Sequence, residues 1–355
     1  MASLVTQLQA FYLSSDIPDI RWSATGDELR VRVLYQPTGD LLLESSLTVR
    51  GGFVRIYETR DLIERYMRLN AIARLYPLQI EHMENGSWHN DASMMVIFCE
   101  KKISMGTNSS VSAWLQENFL SSLKAKVLPT EESTVEQLFF VQPQGTPPNP
   151  SLHVTYINSS DAVVTRDISL VANYGASVTN LFVVEFSVDS IKVAIPAAVN
   201  VIGVTVSVGS RHMEYYRPAR RENVAFRFRN AFNVMESAYL SAAVSRKTED
   251  GREIAHVAGN LAHYDRKPVT EYEVQTAPLS FEEASWIDQL ITSPDVRLLD
   301  DTQLIITQGE AVCNNDNAEL NSAKFSYKEL DEKHSIAASE EVNVFTVPPH
   351  SYQFA

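Results

Sequence analysis

Cysteine is scarce in this chain. Cys99 and Cys313 are the only two in 355 residues. Two distant thiols make no disulfide framework, so buried surface rather than cross-links has to hold the fold. The expectation is a pair of buried thiols in a reducing compartment. Long apolar runs are missing too: no window approaches the ~18 residues of a membrane-spanning helix. The first ten residues, Met1 to Ala10, carry no basic segment and no continuous apolar core, so no signal peptide is expected and synthesis is placed in a cytoplasm. Basic charge is in deficit, with 30 Lys and Arg against 44 Asp and Glu and a formal charge of −14. An overall field of that sign disfavours nucleic acid, whose phosphates need clustered cations. There is no Gly-x-Ser-x-Gly elbow, no His-Glu-x-x-His and no glycine-rich phosphate cradle.

What is present is the composition of a globular protein, 45% hydrophobic and 21% charged. A chain of this length has room for roughly two or three domains. Strand periodicity recurs from end to end. Between Glu28 and Tyr35, Leu29, Val31, Val33 and Tyr35 share one face while Arg30 and Arg32 point away. Pro37 to Asp40 supplies a turn, and Leu41 to Val49 a return strand. Phe53 to Ile56, Met94 to Cys99 and Val135 to Val141 read as further strands. Past the proline-rich stretch Pro143 to Pro150 come His153–Ile157, Val163–Val171, Leu181–Ile195 and Val201–Val208, a set suited to a sandwich. Val224–Phe228, Tyr239–Arg246, Val269–Thr276, Leu304–Thr307 and Ala323–Tyr327 complete the pattern, and Val347 to Ala355 reads as an extended tail free to meet a neighbour.

Two segments break the period of two. Thr59 to about Ala73 places Leu62, Ile63, Tyr66, Met67 and Ile72 near one helical face, with Thr59 as N-cap. Ser280-Phe-Glu-Glu283 is a capping box that opens a helix to about 292, stopped by Ser293-Pro294. A weaker helix is expected around Val111 to Leu120. The fold class is therefore mainly β and multi-domain, with β-sandwich-like domains and two or three short α-helices. The expected domains are 1–142, 143–216 and 217–355.

Little of the polar sequence makes chemistry. His256 and His263 lack further ligands at metal spacing, and zinc needs three or four. Cys313 to Glu319 resembles a calcium loop only superficially, lacking the turn glycine and the terminal bidentate Glu. Glu282-Glu283 belongs to the helix cap, and Asp300-Asp301 to a turn. No catalytic, cofactor-binding or metal residue is assigned, and no enzyme activity or cofactor is expected. Arg217, Arg220, Arg221, Arg227 and Arg229 form the one dense cationic cluster. It reads either as a solvated strand edge, where charge discourages accidental pairing, or as an interchain contact for an acidic partner surface. Trp88, in Asn85-Gly-Ser-Trp-His-Asn90, is either a partly buried hairpin residue or a platform for a sugar.

Leu29-Arg-Val-Arg-Val-Leu-Tyr-Gln-Pro-Thr-Gly-Asp40, followed by Val54-Arg-Ile-Tyr-Glu-Thr-Arg-Asp-Leu-Ile-Glu-Arg-Tyr66, gives a hairpin, a strand and an amphipathic helix in order. Phe226 to Asn230, Glu271 to Thr276 and Leu279 to Leu298 extend the pattern. This order resembles tail-associated structural proteins, of the baseplate or tail tip, from Bacteroidetes phages and prophages. Residues 143–216 carry no such likeness. The resemblance implies a virion structural protein that forms homo-oligomers and docks other tail or baseplate proteins, with no nucleic-acid partner and no membrane insertion. A carbohydrate-binding adhesin that meets a host surface glycan through Trp88 is the alternative expectation. A polysaccharide hydrolase with two distant carboxylates is a third.

Overall fold

A computed structural model of the protein describes residues 2–101, 103, 105, 110–170, 180–218, 222–257, 260–314 and 320–330, with the backbone alone over 249–257 and 260–269. The chain is mainly β, and its cores are built by the alternation just described. Among the described residues no helix is long and apolar enough to cross a membrane.

The N-terminal strands are β1 (Ala2–Leu4), β2 (Phe11–Leu13), β3 (Ile20–Ala24), β4 (Glu28–Tyr35), β5 (Asp40–Thr48), β6 (Phe53–Ile56), β7 (Tyr76–Glu84) and β8 (Ser87–Ile97). They make a five-stranded sheet, ordered β2-β8-β7-β4-β5, and a three-stranded sheet, β1-β3-β6. The inward residues of both, with Ile63 and Met67 of helix α1 (Thr59–Leu69), close one core around Trp22. Asn85 and Gly86, both at positive φ, close the β7–β8 hairpin with the twist its strands require. Helix α1 departs from its expected ends. Its N-cap is Glu58, in the left-handed region, and Thr59 lies inside the helix with its hydroxyl donating to the Ile56 carbonyl. It stops at Leu69 because Ala71 turns to φ 50°, although Ile72 still packs on the core.

Helix α2 (Val111–Glu117) is capped by the Ser110 side chain, which accepts from the Ala113 backbone N–H. It is followed by β9 (Ala125–Val127) and β10 (Glu136–Val141). The middle strands are β11 (Ser151–Ile157), β12 (Val163–Ser169), β13 (Leu181–Phe186), β14 (Asn200–Val208) and β15 (Arg211–Tyr216). A five-stranded sheet, β12-β11-β14-β15-β9, faces the β10-β13 pair across a single core, a sandwich-like arrangement. The run Leu181–Ile195, read from sequence as strand, ends as strand at Phe186. Ser187 then opens α3 (Val188–Ala194) with a reciprocal cap to Ser190. Residues 119–141, assigned by the Pro143–Pro150 stretch to the N-terminal part, place Phe119, Leu128, Leu138 and Phe140 in this middle core.

The C-terminal strands are β16 (Val224–Arg229), β17 (Met235–Leu240), β18 (Ala242–Val257), β19 (Asn260–Thr276), β20 (Val296–Leu298), β21 (Gln303–Val312) and β22 (Ser322–Glu329). They form one sheet, ordered β17-β16-β20-β21-β22-β19-β18. Helix α4 (Phe281–Thr292) lays Trp286, Ile287 and Leu290 against Phe226, Phe228 and Phe325. Its capping box forms as the sequence implies: the Glu283 N–H donates to Ser280 Oγ at 3.1 Å and the Ser280 N–H to Glu283 Oε2 at 2.8 Å. The expected strand 239–246 divides between the end of β17 and the start of β18, and β18 and β19 run beyond the expected limits 246 and 269. They pair with each other from Ala242↔Thr276 to Val257↔Asn260, whereas β22 pairs with β19 only at Tyr272–Gln275. Among the described residues, most of this hairpin is therefore a two-stranded ribbon extending past the sheet.

The three parts meet at a shared apolar junction. Leu13 and Ile97, then Trp114, Leu115 and Val141, and then Phe232 and Val234 form one buried cluster. Arg211 lies beside it, 2% exposed, donating to the carbonyls of Leu115 and Val141. An unpaired guanidinium could not be buried there, so these carbonyls fix how β15 meets α2 and β10.

Candidate functional site

The three described members of the cationic cluster make separate intrachain contacts. Arg217 donates to the carbonyls of Val201 (3.1 Å) and Pro129 (2.8 Å), and its guanidinium lies 3.9 Å from Glu132. Arg229 donates to Asp295 Oδ2 at 3.0 Å, and Arg227 lies 3.6 Å from Asp301. Arg297, opposite Arg227 on β20, donates to the other oxygen of Asp295 at 2.8 Å. The Asp295 carboxyl is held below its ordinary range, first by the Arg297 hydrogen bond and then, against the effect of burial, by Arg229. Arg220 and Arg221 lie outside the described residues, as do the side chains of His256 and His263 and residues 315–319. Cys99 is buried, its thiol pushed up to about 12 by desolvation, but Cys313 is exposed, which corrects the expectation of two buried thiols.

Trp88 sits just past the Asn85-Gly86 turn, half-buried. The Arg32 guanidinium lies over its ring at 4.1 Å and Arg30 follows at 5.6 Å. Arg32 is itself fixed by a 2.6 Å hydrogen bond to Glu81. A cation thus lies over the indole ring.

The densest buried polar group lies elsewhere, where the middle and C-terminal sheets meet. Lys126, on β9, is 2% exposed. Its ammonium lies 3.7 Å from Glu136 on β10 and 3.5 Å from Glu236 on β17. Glu236 accepts from Ser121 Oγ at 2.6 Å and from Asn230 Nδ2 at 2.8 Å, and Glu136 accepts from the Tyr239 hydroxyl. Burial first, then Glu136, drives the Tyr239 phenol far above its ordinary value, so it stays a neutral donor. Lys126 and Tyr239 also line a cavity of about 240 Å³. Leu123, Leu240, Leu279 and Ile287 give it apolar wall, Trp286 flanks it from α4, and Glu222, Glu283 and Tyr216 line it as well.

No protein-family model and no curated protein matches this chain. Among the described residues no group of three or more His, Cys, Asp and Glu side chains is placed to hold a metal ion. The Lys126 cluster can anchor a polar ligand or lock two sheets together. Sequence motifs missed it, but strand phase carries a trace of it. Glu136 falls in register with Leu138 and Phe140, and Glu236 with Ala238 and Leu240, which puts carboxylates on the faces that the apolar residues mark as buried.

Proposed function

We propose that this protein is a structural component of a phage or prophage tail, at the baseplate or tail tip, that self-associates and docks neighbouring tail proteins. The observation that carries the reading is the β18–β19 ribbon. Among the described residues these strands pair only with each other over most of their length, which leaves outer backbone N–H and C=O groups without ladder partners there. An isolated two-stranded ribbon is marginal in water, and β-augmentation by a neighbour is the ordinary way such an edge is completed. A net charge of −14 keeps the unassembled chain soluble. The three β units that carry the ribbon are joined through one buried cluster. The likeness of Leu29–Tyr66 and Leu279–Leu298 to tail-associated proteins adds the context. Closed cyclic symmetry is the arrangement expected of such a part.

The test is to purify particles from the phage or induced prophage that encodes the chain and to separate tails from capsids. Peptides from this protein should travel with the tail fraction in fixed ratio to the tube protein. Their absence from intact particles would sink the reading.

A further inference from the structure

Strands β5 and β6 begin as a hairpin and then part. Gly51 and Gly52, both at positive φ, make the turn, and the N–H groups of Arg50 and Phe53 donate to each other's carbonyls at 2.9 and 3.1 Å. Beyond that pair β5 becomes the edge of the five-stranded sheet and β6 the edge of the three-stranded one. Antiparallel strands alternate between bonded and unbonded pairs. The Val49 N–H donates to the Asp27 carbonyl and the Ala24 N–H to the Gly52 carbonyl, which sets the phase of each ladder. Counted along the registers, Ser46 and Thr48 turn their N–H and C=O groups away from β4, and Arg55 turns its own away from β3. Among the described residues no strand pairs with that side of β5 or β6.

A groove of about 700 Å³ runs between the two edges, lined by Arg21, Arg50 and Arg55 with Phe53 and Tyr57. Its whole wall lies within the described residues. Arg21 stands over the Phe53 ring at 3.6 Å and Arg55 over Tyr57 at 5.0 Å. Asp19 pairs with Arg55 at 2.5 Å, whereas the guanidiniums of Arg21 and Arg50 have no ion pair or hydrogen bond among the described residues. Arg21 and Arg55 are register partners, and like charges set opposite each other destabilise a sheet. Charge does guard sheet edges against accidental pairing, but Arg21 sits on β3, the central strand of its sheet. Phe53 and Tyr57, 38% and 69% exposed, offer apolar surface beside it, which invites contact.

In a chain of net charge −14 this groove reverses the local sign. Its free ladder groups call for a polypeptide backbone, which neither a nucleic acid nor a lipid headgroup supplies. A guanidinium stacked on a ring keeps a planar N–H edge that takes a carboxylate by two bonds. We propose that the groove between β5 and β6 docks an extended acidic segment of a partner protein. The segment pairs its backbone with Ser46 and Thr48, sets carboxylates against Arg21 and Arg50, and covers Phe53 and Tyr57 with apolar side chains. This surface is separate from the β18–β19 ribbon, and its occupancy is independent of the tail reading.

The experiment follows the fluorescence anisotropy of a labelled peptide of about six residues, alternating Glu and Val, titrated with the full chain. A Lys–Val peptide, an oligothymidylate and phosphatidylglycerol vesicles are the other arms. The Glu–Val peptide should bind and the Lys–Val peptide should not. Arg21→Glu combined with Arg50→Glu should weaken binding about tenfold or more. Ser46→Pro removes one outward N–H without touching the β4 ladder, and should weaken it about fivefold. Arg166→Glu, on β12, should leave it unchanged. Melting curves confirm that each variant folds, and the exposed arginine changes keep the test decisive if Ser46→Pro does not. The proposal is overturned if the Glu–Val peptide fails to bind at up to about 1 mM. It is equally overturned if the Lys–Val peptide binds as well, or if binding survives the paired arginine changes or a folded Ser46→Pro. Loss of binding in Arg166→Glu, or tighter binding of the oligothymidylate or the vesicles, would also overturn it.

Discussion

Lys126 is the residue whose environment is hardest to build and most informative to break. Burying an ammonium costs several kcal/mol, which is recovered only by nearby opposite charge and hydrogen bonds. Here Glu136 and Glu236 supply the charge, and Ser121, Asn230 and Tyr239 hold the carboxylates in place. Lys126→Met should therefore destabilise the protein by about 3–5 kcal/mol in urea unfolding, because two carboxylates are left facing each other. Adding Glu136→Gln and Glu236→Gln should restore part of that loss. A cost below about 1 kcal/mol for the single change would contradict a stabilising role for these contacts. Asp295 gives a pH-dependent counterpart. Its folded pKa lies below the ordinary 3.8, so the ionised carboxylate stabilises the fold above that value, and the contribution fades as pH falls through the lower folded value. Asp295→Asn should lower the melting temperature at neutral pH and flatten its fall below about pH 3.8. An unchanged acid slope would remove Asp295 from the account.

At the scale of elements, legibility followed burial. Strand β4 could be read to its ends because one face is buried and the other carries Arg30 and Arg32. Helix α4 announced itself through Ser280 and Glu283. Helix α3 was hidden because it continues the apolar run of β13 and its reciprocal cap uses Ser190 where the usual signature has Glu or Gln. The ribbon is hidden for the opposite reason: Arg246-Lys-Thr-Glu-Asp-Gly-Arg-Glu253 shows no apolar alternation, so it offers no period of two. Gly309 tests how tightly α4 seats on β21. A Cβ there would meet Ile291 Cγ2 at 2.3 Å and Phe325 Cβ at 3.3 Å. Gly309→Ala should cost about 1–3 kcal/mol by overpacking. Combining it with Ile291→Val, which keeps Cγ2, should recover little, and with Ile291→Ala most of the clash. Thermal melts of the three variants check this ordering.

For the whole molecule, interlocking matters more than any one unit. The chain segment 119–141 leaves the N-terminal part to complete the middle core, and the cluster from Leu13 to Val234 joins all three. No local signal in Pro143–Pro150 foretells this, since strand pairing such as β10 with β13 is a long-range property. The three parts are thus joined through one buried cluster, and the ribbon extends past the C-terminal sheet. Glu249 and Val269 face each other in register, so Asn-Gly can join them and shorten the ribbon without disturbing the sheet. The most direct measurement is the native mass of the full chain beside that of the shortened chain. The account predicts a closed oligomer of defined number for the full chain and a folded monomer for the shortened one. A full-length chain that stays monomeric at high concentration and binds no isolated tail component would contradict it.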